Sequence, residues 1–206
     1  MNDNMKQFTS ETLATQYMIM DIFENVLLQS ENPKLIGEYL TTQLMEVLGS
    51  SMVILIMNNE HKHSLLNICP KRKKDLITKV DFINKISELF PVDDNIKFYS
   101  DIDTQSNYIL LLKHFNLQNI MFIPLSIHNK IIATLIFTNL PEYHKINIII
   151  KSLKIITKFL AIILSNSFTF ENQEKILMER TQKLIELNEN LKKTNEELKY
   201  AKEQAE

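Results

Sequence analysis

The chain has 206 residues, room for one domain of about 150 residues plus an extension, and its 45% apolar share is enough for a real core. A net charge of -2 gives no electrostatic reason for a nucleic-acid partner, and the two glycines, Gly37 and Gly49, argue against a glycine-rich phosphate loop, which needs backbone where no side chain fits. Cys69 is the only cysteine, which excludes an intrachain disulfide and a cysteine-rich metal site and fits a reducing compartment.

Residues 1–12 read as a polar leader without the apolar core of a signal peptide. Ser10 to Ser30 reads as a first helix capped by Ser10, with Leu13, Tyr17, Met20 and Leu27 as its buried stripe and Ile19, Phe23 and Val26 widening it. Asn32 caps a second helix with Pro33 at its first position, where the missing N–H is harmless, and Gly49 ends it. Its apolar positions are Leu35, Ile36, Leu40, Leu44, Met45 and Leu48. Ser51 to Met57 is a β-branched apolar run, the pattern of a strand covered on both faces. Asn58 to Lys62 reads as a turn, and Ser64 to Cys69 as a strand closed by Pro70.

The basic run Lys71 to Lys74 opens a predicted helix to Phe90, on the spacing of Leu76, Ile77, Val80, Ile83, Ile86 and Leu89. Four such residues beside Asp75 suit a solvated helix start better than a nucleic-acid patch. Ile96 to Tyr99 follows as a short strand, then the polar stretch Asp101 to Ser106 and a short helix from Asn107 to Phe115. Ile120 to Ile127 and Ile131 to Thr138 form a hairpin about His128, Asn129 and Lys130. Pro124 removes a ladder donor, so it belongs at a bulge or an edge. The order α-α-β-β-α-β-α-β-β-α lets the outer helices stack on one face of an antiparallel sheet while the middle helices cover the other.

After Pro141 there is neither Gly nor Pro to Glu206, which predicts a helix, or two end to end, roughly 90 Å long. The stretch Lys145 to Leu164 is apolar enough to be tested as a membrane span. Lys151, Lys154 and Lys158 share one helix face, and burying them at mid-bilayer costs about 2.5–3.5 kcal/mol each. An amphipathic helix packed on a sheet has no such cost, so a cytoplasmic domain is expected, with membrane tethering of a longer parent protein left open. Leu177, Leu184, Leu191 and Leu198 recur every seven residues, with Phe170 one heptad earlier. With these at position a, the d positions are Gln173, Arg180, Leu187, Thr194 and Ala201, so the expected parallel homodimer is marginal rather than a tight zipper.

Gln118 to Leu140, an apolar strand reaching Pro124, a polar turn and a second apolar strand leading into the closing helix, resembles the last hairpin of a GAF domain. Ile36 to Met57 is similar to that family's first helix and strand, and the resemblance covers about residues 15 to 170. It implies an α+β fold, a GAF-like antiparallel sheet with helices on both faces. It places a sensory domain over 13–170, with its last helix at about 145–170, and a signalling coiled coil over 171–206. Lys130 and Ala133 stand where GAF domains usually carry glycine, and the PAS fold is the structural competitor. Leu187 to Glu206 is similar to the linker before the phosphoacceptor helix of bacterial sensor histidine kinases. That implies a non-catalytic sensory fragment, homodimeric through its C-terminal helix, binding a small-molecule ligand or sensing redox state and feeding a kinase domain in cis. A GAF module regulating a cyclic-dinucleotide enzyme or a transcription activator, and a structural dimerisation domain without a ligand, are the alternatives.

Catalytic and metal-binding residues are not expected. A reactive thiol at Cys69 would need exposure and the influence of Lys71, Arg72 and Lys73, and an ordinary half-buried thiol is the better account of it. Bilin-binding GAF domains usually follow their cysteine with histidine, where Pro70 stands here, and methionine-sulfoxide-reducing ones need several cysteines. His61 and His63 are placed in a turn as a weak metal signal, and His114, after Ile109 to Leu112, is the best haem candidate. For each of the five histidines, His128 and His144 included, a surface position is the simpler account, so neither haem nor bilin is supported. By the resemblance, Tyr99 and Tyr108, flanking Ser100 to Asn107, border the ligand cavity, and Cys69 completes the candidate pocket set.

Overall fold

The computed structural model describes residues 14, 17–18, 20–29, 32–59, 62–75, 82–101, 108–141 and 146–205. It divides into two compact units, Met1–Ser167 and Phe168–Glu206.

The first unit is an α+β domain. A helix α1, described over 20–28, precedes α2 (Pro33–Leu48). The strands β1 (Met52–Asn59) and β2 (Lys62–Cys69) follow, then a 3-10 turn at Lys71–Lys73, the short helix α3 (Phe82–Ile86) and a second 3-10 turn at Ser87–Leu89. Next come β3 (Lys97–Ser100), α4 (Tyr108–His114), β4 (Asn119–Ile127) and β5 (Lys130–Thr138), and α5 (Ile146–Ala205) closes the chain. The strands form one sheet in the order β2-β1-β5-β4-β3, with every neighbouring pair antiparallel. The predicted element order holds.

Local chemistry explains the boundaries. The side chain of Asn32 accepts from the backbone N–H of Lys34 and of Leu35, so two orphan donors of α2 are met, and Pro33 needs none. Gly49 ends α2 in the left-handed region at φ 62, where other residues are strained. The hairpin works without glycine because His128 and Asn129 both take positive φ, 48 and 63, the signature of a two-residue turn whose twist matches the strands. Pro124 lies two residues beyond Phe122, the last β4 residue paired to β3, so it sits where β4 has a partner on one side only.

Pleating sorts the core onto two faces. Met52, Ile54, Ile56, Ile120, Phe122 and Ile136 of the sheet form one buried cluster with Phe82, Ile86, Leu89 and Leu112 from the middle helices. On the other face α2 contacts β1 and β2, burying Ile36, Leu40 and Leu44. Gly37 allows the approach, since a Cβ there would lie 3.3 Å from the Asn67 Cβ. Each fully buried aliphatic side chain adds about 1.5–3 kcal/mol. Burial, then the Asp21 carboxylate, push the Tyr39 phenol up.

Several expectations are corrected. In α1 the buried residues are Ile22 and Val26, while Tyr17, Met20 and Leu27 are exposed; Ser10, Leu13 and Ile19 lie outside the described residues. Leu35 is exposed, because α2 already fills its inward side with Ile36, Leu40, Leu44 and the small Gly37 and Thr41. Asn58 belongs to β1 and His63 to β2 rather than to a turn. Among the described residues, the stretch predicted as one helix from Lys71 to Phe90 starts as a 3-10 turn that runs into helix at 74–75 and ends as α3 followed by a second 3-10 turn; Leu76, Ile77 and Val80 lie outside the described residues.

The second unit, Phe168–Glu206, is the rest of α5, exposed from 169 to 205. The row Phe170, Leu177, Leu184, Leu191 and Leu198 is between 50% and 66% exposed, and Leu187 is 57% exposed. Lys151, Lys154 and Lys158, in the first unit, are exposed as expected, and among the described residues no helix is long and apolar enough to cross a membrane.

Candidate ligand-binding face

Counting by two along β1 from Met52 passes Ile54 and Ile56 and arrives at Asn58, a polar residue in core-facing register. Cross-strand pairing sets His63 opposite Asn58, and Thr134 of β5 opposite Ile56, so all three share the face that carries the apolar cluster. A bulge makes this possible. Leu55 pairs with Asn67 and Ile56 with Leu65, leaving Leu66 without an opposite residue. The extra residue shifts the alternation of β2, so that His63 and Leu65 lie on the same face as Ile68, which strict alternation forbids.

The polar groups form a directed chain. Asn58 Nδ2 donates to Thr134 Oγ1 at 2.9 Å, and Asn58 Oδ1 lies 3.2 Å from His63 Nδ1. The amide oxygen can only accept, so His63 Nδ1 carries a proton in this arrangement. Nε2 is then the ring nitrogen that no described residue engages. Thr134 is fully buried, so its hydroxyl depends on this bond.

Aromatic rings frame the chain. Phe90 meets His63 edge-on at 4.8 Å between centroids and packs at 5.6 Å from Phe122, whose ring lies 6.0 Å from Tyr99. The face therefore combines π surface with one oriented imidazole. His63, Phe90 and Tyr99 are half-buried while Phe122 and Thr134 are fully buried, and the described part has no nucleophile–base pair. Among the described residues no group of three or more His, Cys, Asp or Glu is placed to hold a metal.

The sequence candidates are scattered by the fold. Tyr99 stands on this face, partly buried against the core cluster. Tyr108 begins α4 but its side chain lies outside those described, as do His61, His144 and residues 102–107. Cys69 is half-buried and pairs with Val53, which alternation puts on the opposite face from Ile54 and Tyr99, so the thiol and Tyr99 are not brought together. His114 is exposed at the end of α4, 3.3 Å from Lys85 Nζ and edge-on to Phe115, and His128 is exposed in the hairpin turn. The basic run serves the fold: Lys71 pairs with Glu38 of α2, and Lys73 Nζ donates to the Ser51 carbonyl at 3.1 Å. Asn58, Thr134, Phe90 and Phe122 were not singled out from the sequence. The signal for the first two was a polar residue in core-facing register, at Asn58 of SMVILIMN and Thr134 of IIATLIFT.

No protein-family model matches the chain, and no curated protein matches its sequence. Solved structures do match its fold. The GAF domain of a Pseudomonas syringae pv. tomato protein described as a sensor histidine kinase aligns over 82% of this chain and 99% of its own, at 12% identity and TM-score 0.57. The photosensory core module of Stigmatella aurantiaca phytochrome aligns over 82% of this chain and 40% of its own, at 12% identity and TM-score 0.61. A phycoerythrobilin-bound GAF domain of a cyanobacterial phytochrome aligns over 75% of this chain and 96% of its own, at 12% identity and TM-score 0.54. The fold is the GAF fold.

Proposed function

We propose that this chain is the sensory module of a two-component signalling protein. In this reading a small molecule on the His63–Asn58–Thr134 face changes how α5 pairs with α5 of a second copy, and the paired helices pass the change to a histidine kinase domain. The observation that carries the reading is the leucine row of α5. Leu177, Leu184, Leu191 and Leu198 are 59–66% exposed at heptad spacing on a 60-residue helix that follows a GAF-type domain. Four exposed leucines gain nothing from solvent, whereas a second helix buries them. The weak d row, with Gln173, Arg180 and Thr194, keeps the pairing shallow enough for a ligand to bias it by a few kcal/mol. The kinase assignment draws on the described output of the Pseudomonas syringae relative. The ligand expected on the face is small, with a flat apolar part for Phe90 and Tyr99 and one polar group for His63 Nε2.

The test grafts the chain, in heptad phase, onto a dimeric histidine kinase core and follows autophosphorylation. Leu184→Lys with Leu191→Lys is expected to uncouple the kinase, and insertions of one to seven residues after Glu206 to give activity that returns at seven. Activity indifferent to both the seam variant and the insertion phase refutes the relay. Native mass spectrometry of the purified chain, beside a His63→Ala variant, reads ligand retention separately.

A further inference from the structure

Lys85 and His114 belong to different helices and meet because of how α4 ends. The N–H of Leu117 returns to the Leu112 carbonyl at 2.8 Å and that of Asn116 to the Lys113 carbonyl at 3.1 Å, with Asn116 at φ 53. Two such bonds around one left-handed residue make a Schellman cap, a position that asparagine tolerates better than most side chains. The cap turns Phe115 and Leu117 onto the core cluster that contains Leu112. Phe82 of α3 meets the Phe115 ring edge-on at 4.6 Å. Lys85 lies one turn after Phe82, and its Nζ stands 5.9 Å from the centroid of the same ring and 3.3 Å from His114 Nε2. The His114 ring in turn rests edge-on against Phe115 at 4.9 Å.

An ammonium only donates, so His114 Nε2 is the accepting nitrogen. Both side chains are exposed, and among the described residues no carboxylate pairs with Lys85, whereas Glu38 holds Lys71 and Asp93 holds Lys97. The amine is therefore open to solvent and in contact with a base, and an aromatic ring orients that base. Nucleophile, base and orienting group are the three parts of an activated nucleophile.

We infer that Lys85 is a modification site, acylated by acyl phosphates with His114 taking the proton. In the step a bond forms between Nζ and the acyl carbon, the bond from that carbon to the phosphate oxygen breaks, and phosphate leaves with the electron pair. The Nζ proton passes to His114 Nε2 and from there to water. The products are a neutral amide and inorganic phosphate, so no oxidant or further reactant enters. Lys113, exposed and next to His114 in the chain, adds positive charge for an anionic donor. Acylation removes the cation over Phe115. Phe82 and Ile86 of α3 and Leu112 of α4 belong to the cluster on the His63 face of the sheet, so the mark falls where two elements covering that face meet.

The test needs neither the ligand nor the relay. The purified chain is incubated with acetyl phosphate, and quantitative peptide mass spectrometry reads the initial acetylation rate at each lysine. Lys34, Lys192 and Lys199, all exposed, are the references. Lys85 is expected to react about 10-fold faster than their mean, short of what a base in a closed active site gives because this pair is open to water. His114→Gln keeps a hydrogen-bond acceptor beside Nζ but no base, and it is expected to bring Lys85 down to the reference rate. Circular dichroism confirms that this surface variant is folded. Denaturing urea, which separates α3 from α4, is expected to do the same to the parent chain. A Lys85 that reacts no faster than the references, or that keeps its excess in His114→Gln or in urea, overturns the site.

Discussion

Removing one hydroxyl from this protein should make it more stable. Ser167 is 1% exposed, and among the described residues its Oγ is the buried side-chain oxygen or nitrogen without a hydrogen-bond partner. It lies inside α5, where its backbone groups are met by the helix but the hydroxyl is not. An unmet buried polar group costs about 1–3 kcal/mol. Ser167→Ala removes that cost and adds up to about 0.5 kcal/mol of helix propensity, for a net gain of roughly 1–3.5 kcal/mol. For a domain of this size each kcal/mol is about 2–4 °C in Tm, so a rise of roughly 2–14 °C is expected. Ser167→Cys separates the two contributions, since cysteine has a propensity close to serine but a thiol that tolerates apolar surroundings. It should give about 1–2 kcal/mol of the gain. Urea and thermal denaturation followed at 222 nm, at one fixed protein concentration because the chain is expected to self-associate, measure both variants. A neutral or destabilising result for both refutes the claim that this hydroxyl is buried and unmet.

Asn119 is 2% exposed, takes the Leu140 N–H on Oδ1 at 2.7 Å and donates from Nδ2 to the Leu140 carbonyl at 3.0 Å. Asn119→Ala leaves two backbone groups unmet and should cost about 2–4 kcal/mol in urea unfolding, where Asn95→Ala on the surface should cost far less. Gly49→Ala puts a Cβ at φ 62 and 3.1 Å from Pro141 Cγ, so a loss of about 1–3 kcal/mol is expected, read from the same curves. The side chain and backbone N–H of Asn95 hold the Asp93 carboxyl below its ordinary value, with Lys97 assisting. A depressed folded pKa means stability present above the unfolded pKa and lost as pH falls through the folded one. The urea-midpoint difference between the parent and Asp93→Asn should therefore be constant above about pH 5 and vanish below the acid range. A difference that grows on acidification would refute it.

The parts of the fold that could be read from the sequence are those fixed by local chemistry. Asn32, Pro33 and Gly49 spell the ends of α2 in adjacent residues, and the unbroken apolar run from Met52 to Ile56 announces a strand covered on both faces. The GAF-like hairpin was recognisable although its glycines are missing, because His128 and Asn129 supply the positive φ instead. What was not legible depends on partners distant in sequence. Leu66 looks like any strand residue, and nothing in LLNIC says that it bulges and brings His63 onto the face of Ile68. Register likewise decides that Cys69 and Tyr99 stand on opposite faces. In α1 periodicity reads one wide stripe, Tyr17, Met20 and Leu27 with Val26 beside them, and only packing against the domain divides it, burying Ile22 and Val26 and leaving the other three exposed.

The same hydrogen bonds that made the sheet readable limit where a signal can pass. Thr134 and Thr138 of β5 are both fully buried. The Thr138 carbonyl takes Ser50 Oγ at 2.8 Å and the Ser51 N–H at 2.9 Å, and two residues later Leu140 is held on Asn119. A small slide of β5 would strand several of these groups at about 1–3 kcal/mol each, more than a small ligand's bias is expected to supply. Packed elements of this kind switch between discrete arrangements rather than deform gradually. Under the proposed relay the movable part is therefore α5, whose Ser167 hydroxyl is unmet in the present packing, so a turn or shift that exposed it to water would remove that cost. On that argument Ser167→Ala, which removes the penalty of the present packing, should both raise stability and bias a grafted kinase toward the output state of the unliganded chain.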